Sequence, residues 1–186
     1  MISAVYDACV LYSASLRDFL LWLGYVRAVR PLWSEEIHEE WMRSLLKKRP
    51  ALLQKLERTR QEMDTKFPRS LVLGFEDIIP SLRLPDPKDR HVLAVAVHAK
   101  AEYIVTFNLN DFPKTVLHPY GIEALSPDGF VQRLLLENSH SVLEAARDHR
   151  LSLKNPPKTV EAYLATLEKR GLPKTVAFLR GHESWV

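Results

Sequence analysis

The sequence predicts an α/β fold, a layered sandwich with a mainly parallel central sheet, followed by a region that is entirely helical. Short apolar runs alternate with helix-like segments from the N-terminus onward, as parallel strands with helical connections require. From Ser126 the pattern contains helices only, and Asn155-Pro156-Pro157 divides them. We therefore expect an α/β domain over residues 1–125 and a helical C-terminal extension over residues 126–186.

The elements of both regions follow from local patterns. Apolar runs predict strands at residues 2–7, 29–33, 103–107 and 121–125. Helical periodicity and capping residues predict helices at residues 16–28, 34–48, 50–66, 88–100, 128–137, 141–149, 158–170 and 173–180. Residues 70–84 fit either a short strand or a helical turn. The helix at 88–100 is apolar nearly all round, so we expect it to be central and buried.

Composition narrows the class of protein. The 186 residues contain one cysteine, Cys9, so no intrachain disulfide can form, and a reducing cytoplasm is expected. Asp7 interrupts the first apolar stretch, which argues against a signal peptide. No uncharged apolar run reaches the roughly 18 residues of a membrane span.

The net charge of +3 conceals a strongly basic segment. Residues 41–70 hold nine basic and three acidic side chains, whereas residues 1–40 hold three basic and six acidic ones. We predict that this segment is a basic helical arm, about residues 41–67. A basic surface beside acidic residues suits a nuclease that binds phosphates, although a solvated helical face would have the same composition.

Four acidic residues stand at predicted element ends: Asp7, Glu40, Asp89 and Asp111. Carboxylates that converge repel one another unless a cation lies among them. If these four converge, they predict a site for one or two Mg²⁺ or Mn²⁺ ions that hydrolyses phosphodiesters. In that site the three aspartates would be ligands, and Glu40 would orient water or hold a second ion.

Each of these acids also has an ordinary structural explanation. Asp7 could cap the turn that follows its strand, and Glu40 could be an exposed helix residue. Asp89 falls in the first turn of a helix that Asp86 would cap, where an acid favours the helix dipole. Asp111 lies in a sequence rich in turn-forming residues.

No rival site has a comparable pattern. The six glycines include no phosphate-binding loop, and the seven histidines show no metal-ligand spacing. Ser13 and Ser15 lack the context of a catalytic serine. The acidic residues are therefore the candidate site.

Four strings taken together are more specific than any single acid. They are Val5-Tyr-Asp7-Ala-Cys-Val-Leu-Tyr12, Ser34-x5-Glu40, Pro85-Asp-Pro-Lys-Asp89-Arg-His-Val-Leu-Ala94 and Val105-Thr-Phe-Asn-Leu-Asn-Asp111-Phe-Pro113. In order and spacing they resemble the PIN-domain ribonucleases, and most of all the bacterial VapC-type toxins. The resemblance covers residues 1 to about 125 and implies a three-layer α/β/α sandwich.

The resemblance implies a role for each of the four acids, which match the family's first to fourth. Asn108 matches a polar position that shapes the same pocket, and Thr106 would contribute its hydroxyl. Asp86 is an additional acid without an assigned role. Cys9 stands where the family often has Asn, Ser or Thr, so a supporting hydrogen bond is expected to be missing there.

The predicted activity is endonucleolytic hydrolysis of RNA, with Lys47, Lys48, Arg49 and Arg58 as candidate phosphate-binding residues. The resemblance also implies a cognate antitoxin and a homodimer. Three alternatives stay open: a non-catalytic RNA- or protein-binding module, a housekeeping RNA-processing nuclease and a metal-dependent phosphatase. Clustered acids argue against the first, and the basic arm argues against the last.

Overall fold

The computed structural model describes all 186 residues, Met1–Val186. Its strands are β1 (Ile2–Tyr6), β2 (Val29–Leu32), β3 (Tyr103–Val105) and β4 (Glu123–Leu125). Its helices are α1 (Ala8–Leu11), α2 (Ala14–Tyr25), α3 (Glu35–Leu46), α4 (Leu53–Lys66), α5 (Arg90–His98), α6 (Lys114–Leu117), α7 (Pro127–Ser152), α8 (Val160–Glu168) and α9 (Pro173–Arg180). None of the helices has the length and apolar character needed to cross a membrane.

The four strands form one sheet in the order β2-β1-β3-β4. Strands β1, β3 and β4 run parallel, with Val5 opposite Ile104 and Ile104 opposite Ala124. Strand β3 is fully buried, as expected of a parallel sheet covered on both faces. The predicted α/β class with a mainly parallel sheet and a helical C-terminal region is confirmed. The ends of β1 and β3 lie side by side, where such sheets bind ligands.

Helix α5 is the buried helix that the sequence predicts. Residues 92–96 are completely buried, because apolar side chains surround the helix axis. The helix is shorter than predicted, since its first residues form a 3-10 turn over Pro87–Asp89. The Asp86 side chain caps this turn by accepting a hydrogen bond from the Lys88 N–H at 2.9 Å. The turn sets the position of Asp89.

The arm formed by α3 and α4 is fixed by a chain of buried polar contacts. Asp64 on α4 accepts a hydrogen bond from Trp33 Nε1 at 2.8 Å, and its Oδ1 lies 3.2 Å from His38 Nε2. Trp41 Nε1 donates to His38 Nδ1 at 3.1 Å, so His38 carries its proton on Nε2 and donates it to Asp64. These contacts hold α4 against α3 and against Trp33, which follows β2.

The ambiguous segment at 70–84 contains almost no strand. Leu71 forms a single bridge with Trp33, and Glu76–Ser81 forms a 3-10 turn. Gly74, between the bridge and the 3-10 turn, has a positive φ of 77°, a conformation that interrupts an extended strand. The predicted helical turn is present, and the predicted strand is reduced to that bridge.

Two compact units can be distinguished in the chain. One comprises residues 2–12 and 30–125, and contains the sheet and the arm. The other comprises Met1, residues 13–29 and residues 126–186, so it joins α2 to the C-terminal helices. Within this second unit α2 packs against α7. The sequence assigned α2 to the first domain, because its distant partner could not be identified from local patterns.

Helix α7 joins two helices that the sequence predicts separately. Asn138 interrupts it with φ −159° and ψ 91°, and its Oδ1 accepts a hydrogen bond from the Ser141 N–H at 3.3 Å. Asn138 thus ends one helical segment and caps the next. The predicted break between 137 and 141 is present as this kink.

Candidate active site

Asp7 lies at the end of β1, where the sheet holds its backbone in place. Its N–H donates to the Val105 carbonyl at 3.1 Å, which continues the ladder between β1 and β3. The side chain is only 5% exposed. Asp7 stands at the N-cap position of α1, but its side chain makes no capping hydrogen bond. The capping explanation of this acid is therefore wrong, and its carboxylate is directed to other groups.

Two side chains hold one oxygen of that carboxylate. Thr106 Oγ1 donates to Asp7 Oδ2 at 2.6 Å, and Cys9 Sγ donates to the same oxygen at 3.2 Å. Thr106 is fully buried, so its hydroxyl has a fixed position. Both hydrogen bonds use Oδ2, which leaves Oδ1 available to a ligand.

Cys9 supplies the supporting hydrogen bond that was expected to be missing from the resemblance to the PIN-domain ribonucleases. Burial first, and then the charge of Asp7, raise the pKa of Cys9 to about 12. The group therefore stays a thiol at neutral pH and can donate its S–H to Asp7. Its sulfur also accepts the Phe107 N–H at 3.3 Å. The expectation was wrong because a thiol, although a weak donor, can occupy the position of a hydroxyl.

The loop after β3 folds back onto the same residues. The Asn108 N–H donates to Thr106 Oγ1 at 2.9 Å, and the Asp111 N–H donates to the Asn108 carbonyl at 3.0 Å. Asp111 closes a 3-10 turn over Leu109–Asp111. Asn108 thus shapes the loop through its backbone, whereas its side chain is exposed.

Asp89 is the residue on which the acidic charges converge. Its pKa is raised to about 6, first by burial and then by the charges of Asp7, Asp111, Asp86 and Glu40. The structure therefore brings all four predicted acids into one electrostatic neighbourhood, together with Asp86. Asp86 has two roles there, since it caps the turn that carries Asp89 and adds to the negative potential.

Glu40 has a partner that sequence reasoning missed. Its Oε1 lies 3.2 Å from Nε2 of His91, which is 8% exposed. Burial lowers the pKa of His91, but the charges of Glu40, Glu36 and Asp7 outweigh it and leave the pKa raised. The spacing of the histidines to one another does not identify His91. Its position two residues after Asp89 is the signal in the sequence that points to it.

The carboxylates suit a hard divalent cation, but they are not arranged as a ready-made metal cage. Carboxylate oxygens are the ligands that Mg²⁺ prefers, and here they share one region of negative potential. No group of three or more histidine, cysteine, aspartate or glutamate side chains is positioned as a ready metal cage. Binding of an ion would therefore require these side chains to adjust.

One residue of the basic arm contacts Tyr12, the residue that follows α1. Lys48 Nζ lies 5.7 Å from the centroid of the Tyr12 ring, a cation–π contact. Tyr12 follows Asp7 by five residues, and helix α1 lies between them. Lys47 and Arg49 are exposed beside Lys48. The three cations are consecutive in sequence, and one of them contacts the residue that follows α1.

Arg58 lies further along the arm than these three cations. It is exposed on α4, in a shallow surface depression that Lys55 and Glu62 also line. No hydrogen bond or ion pair connects it with the acids. Its assignment to phosphate binding stays a prediction.

Comparisons with known proteins found matches to two family models and to a named relative. Residues 3–110 match the family model described as PIN domain, and residues 127–181 match the model described as VapC50 C-terminal domain. The protein named "Putative ribonuclease VapC50" of Mycobacterium tuberculosis (strain ATCC 25618 / H37Rv) is 48% identical over 62 residues. That match covers 33% of this chain and 36% of the relative's length. No solved structure matches the chain.

Proposed function

The chain belongs to the PIN-domain family, and on that premise we propose that it is a metal-dependent endoribonuclease. The observation that carries this proposal is that four other carboxylates act on Asp89, whose pKa is raised to about 6, first by burial and then by the charges of Asp7, Asp111, Asp86 and Glu40. A fold gains nothing from such repulsion, so a bound cation is the simplest reason to keep it. The relative from Mycobacterium tuberculosis is itself named a ribonuclease.

The four carboxylates have different roles in this proposal. Asp7, Asp89 and Asp111 would hold the ion, directly or through water, and Glu40 would orient the attacking water. A bound Mg²⁺ or Mn²⁺ lowers the pKa of water and neutralises charge on the phosphate. Thr106 and Cys9 hold Oδ2 of Asp7, so its other oxygen would be the one to bind the ion. His91 would hold Glu40 through their ion pair, in which Nε2 lies 3.2 Å from Oε1.

RNA binding would use the cations next to this site. Lys48, Lys47 and Arg49 are exposed, and Lys48 contacts the ring of Tyr12, directly after α1. Such cations bind phosphates without reading sequence. We propose single-stranded loops as the substrate, because the bases of an A-form duplex are hidden from side chains.

We further propose that the protein is the toxin of a toxin–antitoxin pair. The match of residues 127–181 to the VapC50 C-terminal domain supports this assignment. It implies a small antitoxin protein and a homodimer. Expression of the chain alone should then arrest bacterial growth, and co-expression of a small protein encoded beside it should relieve the arrest. Normal growth would favour a housekeeping RNA-processing nuclease.

Cleavage of total RNA by the purified chain tests the activity directly. With Mg²⁺ or Mn²⁺ we expect discrete fragments, which EDTA and the Asp7→Asn variant should both abolish. Asparagine keeps the size and one oxygen of the side chain, so the fold should persist, and circular dichroism would verify it. Folded, antitoxin-free protein that leaves RNA intact would instead favour a non-catalytic binding module.

A further inference from the structure

Phe107 is a large aromatic residue at the edge of the acidic site. It follows the buried Thr106 directly, yet it is 46% exposed. A single exposed aromatic residue is ordinary by itself. The position of Phe107 is unusual, because two of its neighbours hold Asp7. Thr106, which precedes it, and Cys9, which its N–H contacts, both donate hydrogen bonds to the Asp7 carboxylate.

The backbone of Phe107 is held from both sides. Its own N–H donates to Cys9 Sγ at 3.3 Å, and the next N–H, that of Asn108, donates to Thr106 Oγ1 at 2.9 Å. Asp111 then closes the loop on the Asn108 carbonyl. The ring is thus presented to solvent from a fixed backbone, so little conformational entropy is lost when a ligand packs on it.

The ligand chemistry follows from the residues around Phe107. Its backbone adjoins Thr106 and Cys9, which hold the carboxylate of Asp7, and the exposed Lys48 contacts Tyr12, at the other end of α1 from Asp7. A nucleotide combines the matching groups, since its base has a π face and its phosphate carries negative charge. Aromatic side chains bind unpaired bases in this way, largely irrespective of sequence.

We propose that Phe107 is a stacking platform for one unpaired base of the RNA, next to the phosphate that is cleaved. The inference rests on the proposed ribonuclease function and adds a requirement to it. The nucleotide at the cleavage site must be unstacked from its neighbours, so the enzyme selects flexible single strands.

Substitutions at two loop positions separate stacking from simple apolar contact. Phe107→Leu keeps apolar bulk without a π face, and Phe107→Trp restores an aromatic face. Leu109→Ala is the matched control, because Leu109 is 43% exposed on the same loop but is not aromatic. All three substitutions are at surface positions, so unfolding midpoints should stay close to that of the unmodified chain.

Binding would be measured with a single-stranded RNA of about 12 nucleotides, in EDTA so that no cleavage occurs. Each position in turn would carry 2-aminopurine, whose fluorescence is quenched by stacking. Phe107→Leu should weaken binding about tenfold and abolish quenching at one position, as expected for loss of one stacked base. Phe107→Trp and Leu109→Ala should bind within about threefold of the unmodified chain.

Binding by Phe107→Leu equal to that of the unmodified chain would overturn the inference. An equal loss in Leu109→Ala would also overturn it, because the loop would then act as an apolar contact surface, such as a protein partner would use. Cleavage with Mg²⁺ or Mn²⁺ distinguishes this failure from that of the proposed function. Cleavage that is unaffected by Phe107→Leu refutes stacking alone, whereas quenched binding without cleavage supports stacking and refutes catalysis.

Discussion

At the scale of single residues, Thr106 does the most to organise the acidic site. Its buried hydroxyl donates to Asp7 Oδ2 at 2.6 Å and accepts the Asn108 N–H at 2.9 Å. One hydroxyl therefore fixes a carboxylate on β1 and the loop that follows β3. Groups that orient metal ligands in this way typically change activity by about 10- to 100-fold when they are removed.

We expect Thr106→Val to lower the rate of RNA cleavage about tenfold or more while the fold persists. Valine fills the same volume but neither donates to Asp7 nor accepts from Asn108. Thr106→Ser is the matched control, because it keeps the hydroxyl and should retain most of the activity. A Val variant that cleaves RNA at the unmodified rate would show that the Thr106 hydroxyl does not position Asp7.

The residues of the site differed in how far sequence could identify them. Asp7, Asp89 and Asp111 were identifiable, because each follows or begins an element with a clear apolar pattern. The pairing of Glu40 with His91 was not, since it joins α3 to α5 across the fold. The prediction for Cys9 was wrong for a chemical reason: its thiol makes the hydrogen bond to Asp7 that was expected to be missing.

At the scale of elements, helix α9 depends on an acid from another helix. Its own N-cap residue, Leu172, offers no capping side chain. Asp128 on α7 replaces it: Oδ1 accepts hydrogen bonds from the Thr175 N–H at 2.9 Å and Oγ1 at 2.7 Å. Oδ2 accepts the Lys174 N–H at 3.0 Å. A buried carboxylate at a helix N-terminus also favours the helix dipole.

We expect Asp128→Ala to lower the free energy of unfolding by about 2–4 kcal/mol, because three donors lose a buried charged acceptor. Asp128→Asn keeps one acceptor oxygen and should cost less. Urea titrations followed by circular dichroism would measure both variants. Equal stability of the Ala variant and the unmodified chain would mean that water replaces the carboxylate without cost.

Element positions were more predictable than element partners. The arm helices and the buried α5 agree with their apolar patterns, because local periodicity determines which face is buried. Their first turns deviate at Pro50 and Pro87, where 3-10 geometry replaces the predicted α-helix. The packing of α2 against α7 had no sequence signal, since more than 100 residues separate them.

At the scale of the whole molecule, stability should depend on pH through His149. This residue is 3% exposed, and its Nδ1 lies 3.1 Å from the Tyr163 hydroxyl. Burial first, and then the charge of Lys158, lower the pKa of His149 to about 4. Folding therefore keeps the imidazole neutral at pH values where an unfolded chain would protonate it.

The direction of the pH dependence follows from the protonation of His149 in the folded and the unfolded chain. Above about pH 6.5 both states are neutral at His149 and it adds no pH dependence. Between pH 6.5 and 4 only the unfolded chain binds the proton, so stability falls by up to about 3 kcal/mol as the pH falls. Urea titrations at pH 7 and pH 4.5 should show this loss. His149→Gln is the control, and an equal loss in that variant would assign the effect to other groups.

The discontinuous second unit has a consequence for synthesis. Helix α2 leaves the ribosome early, with Leu16, Phe19 and Leu20 on the face that is buried in the finished protein. Its partner α7 is translated more than 100 residues later. Until then α2 must stay exposed or be shielded by a chaperone, so a nascent chain stalled near residue 125 would be prone to aggregate.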